Sequence, residues 1–492
     1  MSDAARLVIV SNRLPVTIEP TDEGTRLRPS SGGLIHALLP ILRQTGGRWV
    51  GWTGTDDDNT LPDLLAHWCA GEAYSFEPVF LTPAERARYY RGFSNEIIWP
   101  LFHGLPSRCQ FDPAYWNEYC KVNAKFAQAV DRVCRNGDLI WVHDYHLMML
   151  AHALRTRGLQ QRLAYFHHIP FPSPDIFETL PWRTHVLRAL MRFDLLGFQT
   201  LRDRRNFIAC LRRCLGGTRV CWSGETLIAR VEGHSASIGA YPISIDFEEI
   251  ATEASQPSVV DVACMIQRSL GTTRIILGID RLDYTKGIPE RLIAFQRLLE
   301  MRPDLLGRLT MAQIVVPSRE DIPEYMQLKL RIEMLVSKIN GQYSRTGWVP
   351  IHYFYRSIPR SELMAFYRAA HIAVVTPLKD GMNLVAKEFC ASRVDQRGVL
   401  VLSEFAGAAA ELNCGAVLVN PHDTEGLAAA LQSALGMDDA EQSRRMQSMR
   451  SQIRLHDVFR WCRSFELPDC DSRRGVTRFF PENTVNAVLG SR

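Results

Sequence analysis

The chain has 492 residues, enough for two or more domains with ample hydrophobic cores. Its hydrophobic content of 46%, charged content of 22% and net charge of +4, without a block of Lys or Arg, argue against a nucleic-acid partner. No apolar run is long enough to span a membrane, and the amino terminus lacks the pattern of a signal peptide. We therefore expect a cytoplasmic protein with no membrane partner.

Near the amino terminus, residues 6–10 predict a buried strand that is followed by Ser11-Asn12-Arg13. Residues 17–31 are polar and carry two prolines and a glycine, which predicts a long loop, and we expect this loop to close over a ligand. Gly32 and Gly33 then open a helix that runs to about residue 44. A strand, an arginine and a glycine-led helix together suit a phosphate group.

Aromatic residues follow. Residues 49–52 predict a strand, and residues 83–93 predict a helix that carries Tyr90, with Trp99 after it. Aromatic rings beside polar groups are typical of sugar sites, because the faces of pyranose rings pack on them. Burial of the same rings in a hydrophobic core remains open.

Two further strands, at residues 138–142 and 163–166, lead into segments rich in histidine. Those segments contain His143, Asp144 and His146 after the first strand, and His167 and His168 after the second. The spacing matches no zinc signature, and the twelve cysteines contain no Cys-x-x-Cys pair. The pattern favours polar groups gathered at strand ends for an organic ligand, without a metal.

The pattern of strands and helices restarts near residues 241–243. A strand at residues 274–278 leads to a loop with Arg281 and Lys286, two cations that suit a diphosphate. Further strands are predicted at residues 194–198, 309–316, 352–354, 399–402 and 416–419. This alternation in both halves predicts an α/β protein with two doubly wound, Rossmann-like domains that face a central cleft.

The stretch after the buried strand at residues 372–375 is the most informative one. Asp380 and Gly381 predict a turn in which Gly381 can take a positive φ or let a ligand approach the backbone closely, and residues 383–390 predict a helix. The free N–H groups at the start of that helix form an anion site, and Asp380 and Glu388 can accept hydrogen bonds from ligand hydroxyls. A sugar nucleotide needs this combination. On spacing alone, an ordinary strand, loop and helix with solvated carboxylates also fits.

The informative segments are residues 11–13, 32–34, 93–95 with 99–100, 141–146, 168–172, 281–287, Arg319 and 380–388. Together they resemble the trehalose-6-phosphate synthase family, and the resemblance extends to about residue 465. Members of this family are retaining glucosyltransferases of the GT-B fold. The resemblance implies an acceptor domain at residues 1–243 and a nucleotide-sugar donor domain at residues 244–455. It also implies a helix and tail at residues 456–492 that return to the first domain, and we expect partial disorder from Cys470.

The resemblance assigns UDP-glucose to the carboxyl-terminal domain and glucose 6-phosphate to the amino-terminal domain. The implied catalytic residues are Arg281, Lys286, Asp380 and His168. The implied donor-binding residues are Gly32, Gly33, Ile358, Gly381, Met382, Asn383, Leu384, Val385, Ala386, Lys387 and Glu388. The implied acceptor-binding residues are Arg13, Tyr90, Trp99, Asp144 and Arg319, with the two arginines on the 6-phosphate.

The implied reaction transfers glucose to the anomeric hydroxyl of glucose 6-phosphate by front-face displacement, giving α,α-trehalose 6-phosphate and UDP. It needs no cofactor and no metal. The product belongs to trehalose biosynthesis and osmoprotection, and a separate phosphatase is expected to remove its phosphate. The surface helices allow a homo-oligomer.

Three alternatives stay open at this point. The first is a related transferase with another donor or acceptor, such as a glucosylglycerol-phosphate synthase or a pseudo-glycosyltransferase. The second is a non-catalytic sugar-phosphate sensor on the same fold. The third is an unrelated two-domain α/β enzyme, such as a phosphorylase with a lysine-bound pyridoxal phosphate. The nucleoside of the donor, whether UDP, GDP or ADP, is also open.

Overall fold

The computed structural model describes residues 6–21, 24–30, 32–55, 61–223, 226–271, 274–320 and 322–465. The chain forms two compact units. The first contains the residues up to Pro242 and those from Phe459 onward, and the second runs from Ile243 to Val458. Ser31, at the end of the predicted loop, and the predicted tail from Cys470 lie outside the described residues.

Among the described residues of the first unit, nine strands form one sheet and two more form a separate hairpin. The strands are β1 (Leu7–Arg13), β2 (Val16–Thr21), β3 (Gly24–Pro29), β4 (Gly47–Trp52), β5 (Tyr74–Val79), β6 (Leu139–His143), β7 (Arg162–His167), β8 (Leu195–Phe198), β9 (Arg219–Ser223), β10 (Thr226–Val231) and β11 (His234–Ala240). The order in the sheet is β5-β4-β1-β6-β7-β8-β11-β10-β9, and the pairings from β5 to β11 are parallel. The strand order therefore reverses between β1 and β6.

The helices of this unit are α1 (Gly33–Thr45), α2 (Leu61–Trp68), α3 (Pro83–Glu85), α4 (Trp99–Phe102), α5 (Pro113–Val133), α6 (Leu150–Thr156), α7 (Pro174–Phe177), α8 (Arg183–Leu190) and α9 (Leu201–Cys214). Arg86–Ile98 forms a π-helix between α3 and α4, and Pro106–Arg108 and Tyr145–Leu147 are short 3-10 helices. The helix predicted at residues 83–93 is thus a short α-helical turn followed by a longer π-helix. Wide π-helical turns of this kind are frequent at functional sites.

The prediction of a long loop at residues 17–31 is wrong, because the described part of this segment forms the hairpin of β2 and β3. Its register pairs Val16 with Pro29 and Thr21 with Gly24. The β-branched side chains of Val16, Thr17 and Ile18 favour a strand. In a two-stranded ribbon both strands are edges, so the prolines that indicated a loop are tolerated.

The sequence analysis also missed the antiparallel strands β10 and β11. They are joined by Glu232 and Gly233, which have φ values of 49° and 82°, and Val231 pairs with His234 across the turn. Two-residue hairpin turns of type I′ have positive φ at both positions, which glycine adopts without strain. A polar residue followed by glycine between two alternating segments was the signal that could have located this hairpin.

The described residues of the second unit form a sheet of six parallel strands. The strands are β12 (Arg274–Arg281), β13 (Leu309–Val316), β14 (Ile351–Tyr355), β15 (Ile372–Val375), β16 (Val399–Ser403) and β17 (Val417–Val419). Their order, β14-β13-β12-β15-β16-β17, is that of a Rossmann fold. The strand order reverses between β12 and β15. The predicted α/β class with two doubly wound domains is confirmed.

The helices of the second unit are α10 (Phe247–Ala254), α11 (Pro257–Ser269), α12 (Ile288–Met301), α13 (Pro323–Tyr343), α14 (Arg360–Ala369), α15 (Leu384–Ser392), α16 (Ala409–Leu412), α17 (Thr424–Gly436) and α18 (Asp439–Leu455), and α19 (Val458–Arg463) follows them. Tyr284–Lys286 and Pro303–Leu305 are short 3-10 helices. Helix α12 presents Ile288, Leu292, Phe295 and Leu299 to the core, at the spacing of one helical face. This packing holds the start of α12 in place, two residues after Lys286.

Across the described residues, the helices are all too short or too polar to cross a membrane.

Candidate functional site

The point where the strand order of the second unit reverses brings two predicted loops together. Strands β12 and β15 are neighbours, so their carboxyl ends lie at the same edge of the sheet. Arg281 ends β12, Lys286 follows five residues later, and Asp380 lies in the loop after β15. In open α/β sheets, ligands bind in the crevice beyond such a reversal point.

Gly287 holds these two loops against each other. Its φ is 64°, and a Cβ at this position would lie 2.1 Å from the carbonyl oxygen of Thr376. Only glycine permits both the left-handed backbone and this close approach. The N–H of Leu378 donates to the carbonyl of Thr285 at 2.7 Å. The loop after β12 and the loop after β15 are therefore joined through their backbones.

Lys286 and Asp380 form an ion pair at this edge. The distance between Nζ and Oδ2 is 2.5 Å, and the two side chains are only 11% and 14% exposed. Asn383 also donates to Oδ2 of Asp380, at 3.2 Å. Arg281 differs, because its residue is exposed and its guanidinium makes no hydrogen bond or ion pair with another described residue. It is the cation of this group that is available to an anionic ligand.

A second, fully buried ion pair stabilises the start of these two loops. Arg291 of α12 lies 2.8 Å from Oδ2 of Asp280, and both side chains are almost completely buried. Arg291 also donates to Thr376 Oγ1 at 3.0 Å and to Gln313 Oε1 at 3.3 Å. Burial raises the pKa of Asp280, and the charge of Arg291 acts against that rise. The pair is part of the scaffold, and its charges do not face a ligand.

The segment from Gly381 to Ala386 leads into α15. Gly381 does not have the positive φ that the turn predicted, and Asn383 carries it instead, with φ of 84°. Asn tolerates this conformation better than most residues. A Cβ on Gly407 would lie 1.8 Å from the carbonyl oxygen of Gly381, so the two backbones approach closely. Helix α15 starts at Leu384, and the first N–H groups of a helix have no partner within it.

Within α15, Lys387 and Glu388 have different environments. Lys387 is 1% exposed, lies 2.6 Å from Oε2 of Glu411 and donates to the carbonyl of Ile243 at 2.8 Å. Its ammonium is therefore engaged inside the unit. Glu388 is partly buried and accepts a hydrogen bond at 2.8 Å from the hydroxyl of Tyr367. Burial raises the pKa of Glu388, and the Tyr367 hydrogen bond opposes that rise.

Two predicted residues of this unit, Arg319 and Ile358, lie on segments that do not follow β12 or β15. Arg319 follows β13 with φ of 51°. Its guanidinium donates to Asp283 Oδ2 at 3.4 Å and to the hydroxyl of Tyr325. Ile358 is half-buried in the segment between β14 and α14. Asp283 and Tyr325 were not predicted, because neither follows a pattern that marks a site.

The first unit has its own reversal point, between β1 and β6. Arg13 ends β1, and Asp144 follows β6 directly. The guanidinium of Arg13 lies over the ring of Trp52, 4.3 Å from its centroid. Gly54, with φ of 97°, leaves room for it, because a Cβ there would lie 2.4 Å from the guanidinium.

Asp144 has a strained backbone. Its φ is 74°, which is rare for a residue other than glycine, asparagine or a turn aspartate. Its N–H donates to the carbonyl of Phe166 at 2.8 Å, and its Oδ1 accepts from the N–H of His168 at 3.3 Å. Such strain persists where the surrounding structure imposes it, and it is frequent at ligand sites.

The two predicted aromatic residues differ in exposure. Tyr90, on the π-helix, is half-buried and stacks on His146 at a centroid distance of 5.8 Å, with Trp52 at 5.9 Å. Trp99 is 4% exposed and packs on His103 at 4.3 Å. The sequence left open whether these rings lie in a sugar site or in a hydrophobic core. Trp99 is buried as a core ring is, whereas Tyr90 is only half-buried. Trp52 was not predicted as a site residue, whereas His146 belongs to the polar segment that the sequence predicted for a ligand.

Gly33 is the first residue of α1, and Gly32 precedes it as the cap. His168 lies after β7, and its Nε2 is 3.1 Å from Nδ1 of His143. Arg13 and Arg319 belong to different units, as do Gly33 and Lys286. Their joint roles on one ligand therefore stay predictions. Within the described part of the chain, no group of three or more His, Cys, Asp or Glu side chains is placed to hold a metal ion.

Comparison with known proteins agrees with this geometry. The sequence matches Glycosyltransferase family 20 over residues 5–467. A trehalose-6-phosphate synthase of Mycolicibacterium smegmatis is 41% identical over 471 residues, which cover 94% of this chain and 92% of that protein. A bifunctional trehalose-6-phosphate synthase/phosphatase of Thermoproteus tenax is 42% identical, over 94% of this chain and 63% of that protein. The chain thus spans less than two thirds of this bifunctional relative.

Among solved structures, the chain is similar to an α,α-trehalose-phosphate synthase (UDP-forming) from Burkholderia xenovorans in complex with glucose-6-phosphate. The TM-score is 0.85 at 37% sequence identity, and the match covers 94% of this chain and 99% of that one. This similarity confirms the predicted GT-B fold class.

Proposed function

This chain belongs to glycosyltransferase family 20, and we propose that it transfers glucose from UDP-glucose to glucose 6-phosphate. The products are α,α-trehalose 6-phosphate and UDP. The relatives that carry the name trehalose-6-phosphate synthase support this assignment, and so does the structural relative that is UDP-forming and binds glucose-6-phosphate.

The observation that carries the proposal is the set of groups at the reversal point of the second unit. Arg281, Lys286 and the start of α15 place two cations and a helix amino terminus at one edge of the sheet. A nucleoside diphosphate needs such a combination, because its charge is spread over several phosphate oxygens. Arg281 supplies the uncommitted cation. Lys286 supplies the second, and Asp380 orients its ammonium.

The remaining donor contacts rest on the family resemblance, and most of them lie in the segment from Asp380 to Glu388. The carboxylate of Glu388, held by Tyr367, accepts hydrogen bonds from the ribose hydroxyls. The N–H groups of Gly381, Met382 and Asn383 and the carboxylate of Asp380 hold the glucosyl hydroxyls. Leu384 and Val385 lie at the start of α15 and contact the nucleotide, while Ile358 contributes through its backbone. Lys387 acts only from its backbone, because its ammonium is buried with Glu411.

The acceptor is assigned to the first unit. Arg13 offers a guanidinium supported by Trp52, which suits the 6-phosphate. Tyr90 offers a half-buried ring for the sugar and Asp144 offers a carboxylate, while the contribution of the buried Trp99 rests on the family resemblance. The contribution of Arg319 to the 6-phosphate, and those of Gly32, Gly33 and His168 to the donor, rest on the family resemblance.

Retention at the donor carbon follows by front-face displacement. A double displacement needs a carboxylate nucleophile beneath the anomeric carbon, and the family resemblance implies that neither Asp144 nor Asp380 lies there. The bond between C1 and the phosphate oxygen breaks, and its electron pair goes to UDP. The anomeric hydroxyl of glucose 6-phosphate attacks C1 from the same face, and its proton passes to the departing phosphate. Arg281 and Lys286 stabilise the charge that grows on UDP.

The test is release of UDP from UDP-glucose with and without glucose 6-phosphate, in the presence of EDTA. We expect release that depends on glucose 6-phosphate and is insensitive to EDTA, with an α,α-1,1 linkage in the product by NMR. Glucose 1-phosphate is the matched control, because it lacks the free anomeric hydroxyl. Turnover with glycerol 3-phosphate instead would indicate a related transferase, and binding of UDP-glucose without turnover of any acceptor would indicate a sensor.

A cytoplasmic location, a role in osmoprotection, a homo-oligomer and a separate phosphatase for the product stay predictions that rest on the family resemblance.

A further inference from the structure

His143, the last residue of β6, is a fully buried histidine that the proposed reaction does not use. Its side chain is enclosed by aromatic rings, with the centroid of Trp141 at 4.6 Å and that of Trp461 at 6.4 Å. Its Nδ1 lies 3.1 Å from Nε2 of His168. Its Nε2 has no hydrogen-bond partner among the described residues.

Both rings are neutral near pH 7. Burial lowers the pKa of His168 to about 3 and that of His143 well below its ordinary value. His168 adds to the effect on His143, and His167 adds to the effect on His168. A neutral imidazole carries a proton on only one of its two nitrogens. One proton therefore lies between Nδ1 of His143 and Nε2 of His168, and two arrangements are possible.

In the first arrangement His143 donates from Nδ1, and His168 must carry its own proton on its Nδ1. In the second arrangement His168 donates from Nε2, and His143 must carry its proton on Nε2. The second arrangement buries an N–H group that has no acceptor among the described residues. Orphaned N–H groups are rarer in folded proteins than acceptors without a donor. The surroundings of His143 therefore favour the first arrangement.

His168 is held in place by its backbone, which leaves its Nδ1 for a ligand. Its N–H donates to Asp144 Oδ1 at 3.3 Å, and its carbonyl accepts from Gln199 at 3.4 Å. Its ring packs on Phe166 at 4.6 Å. Nδ1 of His168 makes no hydrogen bond with another described residue.

We propose that His143 is a positioning residue that fixes His168 as the Nδ1–H tautomer, so that His168 donates a hydrogen bond to a hydroxyl oxygen of the donor sugar. The identity of that ligand rests on the proposed function, whereas the tautomer does not depend on it. The parallel pairing of β6 and β7 brings the two histidines together, because each lies at the carboxyl end of its strand.

The tautomer can be observed directly. Two-bond ¹H–¹⁵N spectra of protein labelled at histidine distinguish a proton on Nδ1 from one on Nε2, and the signals of His168 are assigned by their loss in His168→Gln. We expect the proton of His168 on Nδ1 in the wild-type protein. A proton on Nε2 would overturn the proposal, whether or not any variant folds.

Two variants of similar polarity test the role. His143→Asn places an amide nitrogen where Nδ1 was, whereas His143→Gln places its amide near the position of Nε2. We expect His143→Asn to keep the Nδ1–H tautomer and a KM for UDP-glucose within about threefold of the wild type. We expect His143→Gln to lose that tautomer and to raise this KM about tenfold, as for one lost hydrogen bond, with the KM for glucose 6-phosphate unchanged.

If His143→Asn and His143→Gln both kept the Nδ1–H tautomer and the KM for UDP-glucose, or both lost them, the role of His143 would be overturned. If the wild-type protein releases no UDP with glucose 6-phosphate, the proposed function fails. The spectrum of His168 still decides the tautomer in that case.

Discussion

Nζ of Lys286 lies 2.5 Å from Oδ2 of Asp380, although the two residues are 94 positions apart in the chain. The pair joins the loop after β12 to the loop after β15, at the point where the strand order of the second unit reverses. The carboxylate therefore holds the ammonium at the edge where a diphosphate would bind. This arrangement gives Lys286 a fixed position before any ligand arrives, and electrostatic catalysis depends on such preorganisation.

Lys286→Ala is expected to lower kcat by about 10²-fold or more, because it removes one preorganised positive charge from the departing UDP. The measurement is the steady-state rate of UDP release with saturating UDP-glucose and glucose 6-phosphate. Lys121→Ala is the control, since Lys121 is an exposed lysine that pairs with Glu118 three residues away. A variant whose kcat stays within a few-fold of the wild type would contradict the role of Lys286.

Arg281→Ala is expected to lower kcat by about 10²-fold or more for the same reason. Arg281→Lys should recover only part of the loss, because a lysine cannot bind two phosphate oxygens with a planar fork. Arg302→Ala is the matched control, since Arg302 is exposed and pairs with Asp304. Wild-type kcat in Arg281→Ala would refute the assignment.

Tyr367→Phe is expected to change the pH dependence of donor binding. In the proposed function Glu388 accepts hydrogen bonds from ribose hydroxyls, and its ionised carboxylate is a stronger acceptor than the neutral acid. The KM for UDP-glucose should therefore rise as the pH falls through the pKa of Glu388. Burial raises that pKa, and the hydrogen bond from Tyr367 lowers it. Removing the hydroxyl therefore moves the rise in KM to higher pH.

The measurement for Tyr367→Phe is the KM for UDP-glucose between about pH 5 and pH 8. Tyr343→Phe provides the control, because the Tyr343 hydroxyl bonds to the exposed Glu300. If the profiles of Tyr367→Phe and the wild type coincide, Glu388 is not the group that titrates.

The sequence was sufficient to predict those strands of the fold that are buried on both faces. Continuous apolar runs such as residues 274–278 and 372–375 predicted the central strands closely, and Arg281, Lys286 and Asp380 were found because they follow such strands. The hairpin of β2 and β3 was missed, since a two-stranded ribbon tolerates prolines and polar residues.

The contacts that organise the candidate site could not be predicted in the same way. Glu388 meets Tyr367, and His143 meets His168, across 21 and 25 positions of the chain. No local period or spacing indicates such pairs, because they depend on which strands become neighbours. The positive φ likewise fell on Asn383 and not on Gly381, whose carbonyl oxygen lies close to Gly407.

The buried ion pair of Arg291 and Asp280 offers a test of the scaffold itself. Arg291→Met should destabilise the second unit by about 3–5 kcal/mol at pH 7, because it leaves the charge of Asp280 buried and unpaired. The double variant Arg291→Met with Asp280→Asn should recover much of that loss, since no buried charge remains. The measurement is the midpoint of urea unfolding for the three proteins.

The pH dependence distinguishes a charge effect from a packing effect. Burial raises the pKa of Asp280, and Arg291 opposes that rise, so the pKa of Asp280 is higher still in Arg291→Met. A carboxyl whose folded pKa lies above its unfolded value contributes stability below the unfolded pKa and loses it as the pH rises through the folded pKa. The deficit of Arg291→Met should therefore shrink between pH 7 and pH 5, whereas the double variant should show no such change. An equal deficit at both values of pH would mean that the lost packing of the arginine, and not the buried charge, causes the destabilisation.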